Sequence, residues 1–253
     1  GIGAALARSL AARGAKLILS GRNESALAAV SEKNGKSTLV LPFEVTEFDR
    51  LEEICDRAWR WAETQDKGIY GLINNAGISQ RSLALETKFA VYQRIVDVDL
   101  LAPIALTQLL LPRMVGAGQA QIIAISSVAG IVGSPMRSAY SAAKHGLIGY
   151  HDSVRAETEH LGIKVLVVAP GSVRTAVSKN ALGADAQARG VSDEAIDRGL
   201  EPAEVALRIL SAVQNGEREL ILAEGMEAEL ARLRRSEPNV LFDLMASVVA
   251  NGY

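Results

Sequence analysis

Short, almost wholly apolar runs alternate along this chain with segments in which apolar residues recur every three or four positions. Apolar runs without polar alternation are typical of strands buried on both faces of a parallel sheet, whereas the wider spacing predicts helices. Strands are predicted over 15–20, 37–45, 70–77, 121–127, 163–170 and 219–223. Helices are predicted over 24–35, 47–63, 100–114, about 138–160 and 202–213.

Strands that alternate with helices predict right-handed crossovers, and therefore an α/β fold with a doubly wound parallel sheet. A further helix opens at Gly1 with no strand ahead of it. We therefore expect seven strands, the first of them missing from an N-terminally incomplete chain. The length suits one domain, 1–253, in which the polar, Gly- and Ala-rich segment 173–201 is predicted to form a substrate lid.

Composition narrows the function. The net charge of −2 offers no basic surplus for nucleic acid or an anionic membrane, and no apolar run reaches the roughly 18 residues of a membrane span. One cysteine, Cys55, permits no internal disulfide and fits a reducing, cytoplasmic setting, with an upstream targeting segment left open. The three histidines share one helix in no ligand-like arrangement, so we expect no metal. The apolar stretch 240–250 is interpreted as a core helix or a wall of the substrate pocket.

Candidate chemistry collects where the predicted strands end, which is where open α/β sheets bind their ligands. Gly1 and Gly3 open a helix whose backbone N–H groups suit a phosphate. After the strand 15–20, Gly21 stands in place of the acid that usually binds the ribose of NAD, and Arg22 follows it. Because an arginine there favours a 2′-phosphate, the sequence predicts NADP, with NAD less favoured. A plain turn and a solvated surface arginine are the alternatives.

The stretch YSAAK places Tyr140 four residues before Lys144, one turn apart on one helix face. This pair is either a surface contact or a tyrosine that exchanges protons. Hydroxyl groups also follow two strands, in ISS at 125–127 and in PGSVRT at 170–175, while the small residues of NNAG at 74–77 end a third. Each feature alone is common in turns, but together they indicate one ligand site.

These motifs, in this order and spacing, resemble the short-chain dehydrogenase/reductase family of the YxxxK type. The likeness covers residues 1–175 and rests on the remnant GIG, NNAG, ISSVAG, YSAAK and PGSVRT. It implies a Rossmann-like fold, an oxidoreductase activity and assembly into a homodimer or homotetramer. A weaker likeness, in the segment 170–200 and in the C-terminal PNVLFDLMASVV, points to the branch that handles lipid, steroid or retinoid-like carbonyls.

The resemblance also implies roles for single residues. Tyr140 would be the acid and base, Lys144 would stabilise its phenolate and bind the nicotinamide ribose, and Ser127 would hold the substrate oxygen. Asp99 stands where the family has an asparagine that holds a water of the proton relay. Its carboxylate would either accept from that water and stabilise Lys144 as an ammonium, or turn away. The implied cofactor-binding residues are Gly1, Ile2, Gly3, Ser20, Arg22, Glu44, Val45, Asn74, Ala76, Gly77, Tyr140, Lys144, Pro170, Gly171, Val173 and Thr175.

We therefore predict NADP-dependent hydride transfer between nicotinamide and a small-molecule substrate, an apolar ketone or secondary alcohol. Two alternatives stay open. A 3-oxoacyl carrier-protein reductase would need a basic docking patch, for which Arg113, Arg174 and Lys179 are the candidates. A scaffold that binds NADP without turnover has Asp99 as its one sequence hint. The sequence names neither the physiological substrate nor the direction of the reaction.

Overall fold

The computed structural model describes residues 1–32 and 37–251, and these residues form six strands that overlap the six predicted runs. The strands are β1 Leu17–Gly21, β2 Thr38–Pro42, β3 Gly71–Asn74, β4 Ala120–Ile125, β5 Ile163–Pro170 and β6 Glu219–Leu222. The helices are α1 Ile2–Ala11, α2 Glu24–Glu32, α3 Leu51–Gln65, α4 Phe89–Val96, α5 Ala102–Gly116, α6 Ser138–Thr158, α7 Glu194–Asp197, α8 Pro202–Gln214, α9 Gly225–Ser236 and α10 Pro238–Ala250. The end of the helix predicted over 24–35 lies outside the described residues.

All strand pairs are parallel, as predicted, and they form two sheets. β1 pairs with β2, and the larger sheet has the order β3-β4-β5-β6. In the larger sheet Ile123 of β4 stands opposite Ile73 on one side and Leu166 on the other. Within the described ranges β1 and β3 each pair with one strand only.

Helices cover both faces of the larger sheet. Neighbouring residues of a strand point to opposite faces. Ile123 packs with Leu6 of α1 and Ile209 of α8, whereas Ile122 packs with Met114 of α5. β4 is buried along its whole length for this reason. The layers confirm the doubly wound arrangement, and they bring the carboxyl ends of the parallel strands to one edge of the sheet.

The segment 173–201, called the lid segment below, contains the short helix α7 and is otherwise irregular. One parallel bridge joins its beginning to its end, between Val173 and Leu200. A second joins its middle to the loop after β3, between Leu182 and Gln80. The lid segment therefore lies against the loop that follows β3.

Two apolar helical stretches differ from expectation. The predicted helix at 240–250 is observed as α10, but Leu241 is its one buried residue and Phe242 is 54% exposed, so it is not a core helix. The continuous helical stretch 89–116 is long and apolar enough to cross a membrane by length and composition alone, a test that core helices also pass. Thr107 and Met114 of this stretch are buried inside the domain.

Candidate active site

Tyr140 and Lys144 lie one turn apart on α6, as their spacing predicts. The residue directly before each of them, Ala139 and Ala143, is fully buried in a cluster with Val91 of α4. These small side chains let α6 pack closely on α4, which fixes the face that carries the pair. The Lys144 ammonium lies 5.6 Å from the centre of the Tyr140 ring. Lys144 is buried, and Tyr140 is half-buried.

Two oxygens anchor Lys144. Its Nζ lies 3.1 Å from Oδ2 of Asp99 and donates a 3.1 Å hydrogen bond to the carbonyl of Ile125 at the end of β4. The backbone N–H of Ile78 donates a 2.8 Å hydrogen bond to Oδ1 of Asp99 and so orients the carboxylate. The Asp99 and Lys144 side chains are 0% and 4% exposed. Water is therefore kept from this ion pair.

The buried pair has shifted titration. Burial raises the pKa of Asp99, and the attraction of Lys144 and the hydrogen bond from Ile78 offset this only in part. Burial alone would lower the pKa of Lys144, but the negative charges of Asp99 and Tyr140 outweigh it and raise that pKa. Lys144 is therefore an ammonium at neutral pH.

A widened helical turn presents Asp99. Residues Asp97–Leu101 form a π-helical turn between α4 and α5, with Asp99 buried at its centre. Such turns are rare and are frequently found at functional sites. Gly77 makes room for the carboxylate, since a Cβ added there would lie 2.8 Å from Oδ2 of Asp99. Hydrophobic periodicity gave no indication of this turn.

Ser127 follows β4 and begins a single 3-10 turn, Val128–Gly130, whose Ala129 N–H donates a 3.1 Å hydrogen bond to the Ser127 hydroxyl. This turn is pressed against α6. The hydroxyl of Ser126 donates to the Lys144 carbonyl at 3.0 Å, and a Cβ added to Gly130 would lie 2.8 Å from that same oxygen. The contact ties the end of β4 to the part of α6 that carries Lys144, with the half-buried Ser127 beside it.

The start of α1 lies between two of the predicted ligand loops. A Cβ added to Gly1 would contact the Thr175 side chain at 3.4 Å, and one added to Gly3 would lie 2.6 Å from Nδ2 of Asn75. The first turn of α1 carries no acidic residue. Free N–H groups and the positive end of the helix dipole therefore remain for an anion. This arrangement fits the phosphates of a dinucleotide.

At the end of β1 the charged residues form a small cluster. Arg22 is 63% exposed, and its guanidinium lies 3.6 Å from Glu44, which also binds Arg94 at 3.1 Å. Burial acts to raise the pKa of Glu44, but the hydrogen bond and charge of Arg94, with the charge of Arg22, lower it overall. Two cations thus share one carboxylate beside Ser20, which is exposed.

Several predicted cofactor residues turn their side chains toward the core. Asn74 is buried, and its amide donates to the Thr107 hydroxyl at 3.0 Å, so this side chain faces α5. A strand residue points to one of the two faces of the sheet. The hydrogen bond to Thr107 shows that Asn74 points to the face covered by α5. The other predicted residues that are buried or packed against the core are Ile2, Val45, Pro170 and Val173. Ala76, in contrast, is exposed.

The loop after β5 is held from the C-terminal side. The Glu227 carboxylate of α9 accepts hydrogen bonds from the N–H of Ser172 at 2.7 Å and from its hydroxyl at 3.0 Å. Gly171 has no Cβ to collide with that carboxylate. Glu227 therefore fixes the backbone on which Val173 and Thr175 stand.

The comparisons with known proteins agree with this geometry. A family model described as short chain dehydrogenase matches residues 1–185. This chain belongs to the short-chain dehydrogenase family. It is therefore an NAD(P)-dependent oxidoreductase, and the predicted family and fold are confirmed.

Relatives of this short-chain dehydrogenase match along nearly all of it. It is 38% identical to dehydrogenase/reductase SDR family member 7B of Bos taurus, over 98% of this chain and 78% of the relative. It is 34% identical to the dehydrogenase/reductase SDR family protein 7-like of Drosophila melanogaster, over 97% of this chain and 76% of the relative. A solved short-chain dehydrogenase from Streptomyces avermitilis has a TM-score of 0.81 at 24% identity, covering 100% of this chain and 96% of that one. A second solved short-chain dehydrogenase, from Sphingobium yanoikuyae in complex with NADPH, has a TM-score of 0.77 at 25% sequence identity. The match covers 96% of this chain and 92% of that one.

Sequence reasoning missed three residues that shape the site of this short-chain dehydrogenase. They are Asn75, Glu227 and Gln80. Gln80 is fully buried, and its side-chain oxygen accepts a 2.8 Å hydrogen bond from the N–H of Ala139, one residue before Tyr140. Its amide donates to the Thr87 hydroxyl at 3.1 Å. No local signal links Gln80 to the site, because Ala139 is 59 residues away in sequence.

Proposed function

We propose that this short-chain dehydrogenase transfers a hydride between NADP and an apolar ketone or secondary alcohol, with Tyr140 as acid and base. The observation that carries the proposal is the buried ammonium of Lys144, 3.1 Å from Asp99 and 5.6 Å from the centre of the Tyr140 ring. A fixed positive charge beside a phenol stabilises the phenolate, which is the form that remains once the hydroxyl gives up its proton.

Each side chain has its own task in this proposal. Bound nicotinamide supplies or accepts the hydride. In reduction Tyr140 donates its proton to the substrate oxygen, and in oxidation it takes that proton back, while Lys144 stabilises the phenolate. The Ser127 hydroxyl already accepts from Ala129, so its own hydrogen is left to donate to the substrate oxygen where negative charge develops. Asp99 keeps Lys144 charged and in place.

NADP is the proposed cofactor because of the charges after β1. Arg22 and Arg94 together carry two positive charges against the single carboxylate of Glu44, and Arg22 is largely exposed. A 2′-phosphate next to Arg22 would find a guanidinium in place of the acid that NAD enzymes present to the ribose. The Sphingobium structure contains NADPH, whereas one from Burkholderia phymatum contains NAD, so the family binds both.

Specific contacts disfavour the two alternatives. A carrier-protein reductase needs basic residues for docking, but Arg113 is paired with Asp56 and Arg174 with Glu201. The scaffold hypothesis rested on Asp99, and that carboxylate is engaged with Lys144. Lys179, the third docking candidate, is exposed, and a single lysine is a small basic patch.

We also propose a homodimer or homotetramer in the cytoplasm. α6 presents exposed small residues at Ala142, Gly149 and Ser153, which permit close packing of a helix from a second subunit. Cys55 is a buried free thiol, which suits a reducing compartment. Sedimentation of the purified enzyme with and without NADPH tests the assembly.

The decisive experiment follows NADPH oxidation against a panel of apolar ketones for the wild type, Tyr140→Phe and Arg22→Ala. We expect Tyr140→Phe to bind NADPH normally and to lose at least ~10²-fold in kcat, because it removes the general acid. Arg22→Ala should weaken NADPH binding by about tenfold or more and leave NADH binding unchanged. Tyr70→Phe, an exposed tyrosine, is the matched control. Undiminished turnover by Tyr140→Phe would refute the proposal.

A further inference from the structure

Close to the first turn of α6, three arginine side chains surround the carboxylate of Asp193. Asp193 of the lid segment accepts a 2.8 Å hydrogen bond from Arg189, lies 3.4 Å from Nη2 of Arg137 and lies 3.5 Å from Nε of Arg81. All four side chains are largely buried, with Asp193 at 14% and Arg137 at 22% exposure. The backbone N–H of Asp193 donates to the Ser178 hydroxyl at 2.9 Å, which fixes the acid within the lid segment.

Arg137 is the member of this cluster with capacity to spare. Arg189 takes the shortest contact with Asp193, and Arg81 has further interactions of its own. Arg137 makes one long contact of 3.4 Å, and its Nε is buried without a hydrogen-bond partner in the described part of the chain. A guanidinium carries five N–H donors, and a buried donor left unpaired is unfavourable. This group is therefore suited to receive an acceptor that bears negative charge.

Arg137 is placed close to the reaction centre by its position in the chain. It precedes Tyr140 by three residues and stands immediately before the first turn of α6, the turn that carries Tyr140. Its backbone carbonyl accepts from Ser141 at 2.7 Å. The preceding residue, Met136, has a φ of 59° and its carbonyl accepts from the N–H of Ser82 at 3.0 Å. The loop that carries Arg137 is thus fixed on both sides before any ligand binds.

We propose that Arg137 binds an anionic group, a carboxylate or a phosphate, on the carbonyl substrate. The substrate would then be amphipathic, with its carboxylate or phosphate group a few bonds from the ketone oxygen that Tyr140 protonates. Arg189 and Asp193 would bring the lid segment onto that group. The inference rests on the proposed reductase function and narrows its substrate class. The competing explanation is a latch that only holds the lid segment to α6.

The test compares matched ketones. The first pair is a long-chain keto acid and its methyl ester, and the second is a long-chain hydroxyketone and its phosphate monoester. The KM of each compound is measured with the NADPH-loaded wild type, Arg137→Gln and Arg198→Gln. Arg198 is an exposed arginine of the same lid segment and serves as the control. We expect one anionic ketone to be preferred by the wild type. Its KM should rise about 10- to 100-fold in Arg137→Gln, while the KM of the neutral partner stays unchanged. A preference within the keto acid pair indicates a carboxylate site, and a preference within the hydroxyketone pair indicates a phosphate site.

Two results would overturn the inference. The first is equal efficiency of the wild type on charged and neutral ketones, which would leave the reductase proposal intact. The second is an equal loss on both members of a pair in Arg137→Gln, which is the behaviour of a latch. Calorimetric binding of the same ketones to the NADPH-loaded enzyme is measured in parallel. Selective binding without turnover would support the anion site and count against the reductase function.

Discussion

A buried lysine keeps its charge only if an opposite charge lies beside it, and Lys144 has Asp99 for this purpose. The two groups are within 3.1 Å, and both are shielded from water. An asparagine at 99 would still accept from Ile78 but would leave the ammonium without a counter-charge. The aspartate therefore does more here than a neutral hydrogen-bonding residue would, because it sets the charge that faces Tyr140.

Asp99→Asn is expected to lose activity with a pH dependence of its own. Without the carboxylate, burial is left to lower the pKa of Lys144, so the ammonium is lost at a lower pH and the alkaline limb of kcat moves toward neutrality. Asp97→Asn, in the same helical turn, is the control. The pH profiles of kcat for the three proteins check this. A profile for Asp99→Asn that overlays the wild type would show that the ion pair does not act on catalysis.

The same substitution has a consequence for stability. Because the folded pKa of Lys144 is raised, its contribution is present below the ordinary lysine pKa of ~10.4 and is lost as the pH rises through the folded value. Leaving the charge unpaired in Asp99→Asn should lower the free energy of unfolding at pH 7 by about 3–5 kcal/mol. Urea titrations at pH 7 and in the alkaline range measure both effects.

Three elements meet at one buried polar cluster behind the sheet edge. The Asn74 amide at the end of β3 donates to Thr107 of α5 and lies 3.3 Å from Nε2 of His151 on α6. Nδ1 of His151 lies 2.9 Å from the Leu147 carbonyl. Nδ1 must donate to that carbonyl, so the neutral ring is the form that presents a lone pair to Asn74. Protonation would set two donors against each other.

We expect this cluster to make the fold sensitive to acid. Burial, with the charges of Arg155 and Lys144, lowers the pKa of His151. The stability it contributes is present above the ordinary histidine pKa of ~6.5 and is lost as the pH falls through the folded value. The unfolding free energy of the wild type should therefore fall more steeply below pH ~6.5 than that of His151→Gln. His145→Gln, an exposed histidine on α6, should keep the wild-type slope. Equal slopes in all three proteins would argue against the histidine.

At the scale of the whole molecule the two sheets differ in support. β4 and β5 are covered by helices on both faces and flanked by strands, whereas β1 and β2, within the part of the chain that the structure describes, pair only with each other. A two-stranded sheet is marginal by itself and relies on the helices packed on it. Local stability should follow this difference.

Hydrogen exchange tests the difference. Amides of Ile122–Ile125 and Val165–Val168 should exchange most slowly, near the rate of global unfolding, and those of Leu39–Leu41 much faster. The buried residues of β4 and β5 provide the internal reference. Equal protection in both sheets would mean that β1 and β2 open only together with the rest of the domain.

The sequence was informative where the pattern was local. The apolar run 163–170 coincides with β5, and the motif residues fall at strand ends as predicted. The helix Phe89–Val96 and the π-helical turn were not predicted. The helix depends on its packing against α6, and the turn depends on the space that Gly77 leaves for the Asp99 carboxylate. Long-range pairs such as Arg137 and Asp193, 56 residues apart, leave no trace in periodicity. Asp99 was singled out by resemblance alone, and the fold shows its carboxylate in direct contact with Lys144, at 3.1 Å.

The wide turn at Asp97–Leu101 also bears on how this family can vary. A π-helical turn accommodates about one residue more than an α-helical path between the same two ends. A one-codon deletion within it would let 89–116 run as a regular helix while α4 and α5 kept their register against the sheet. The residues inside the turn would then point in new directions, and the carboxylate would leave the lysine. A single insertion or deletion could therefore gain or lose this charge with the framework unchanged.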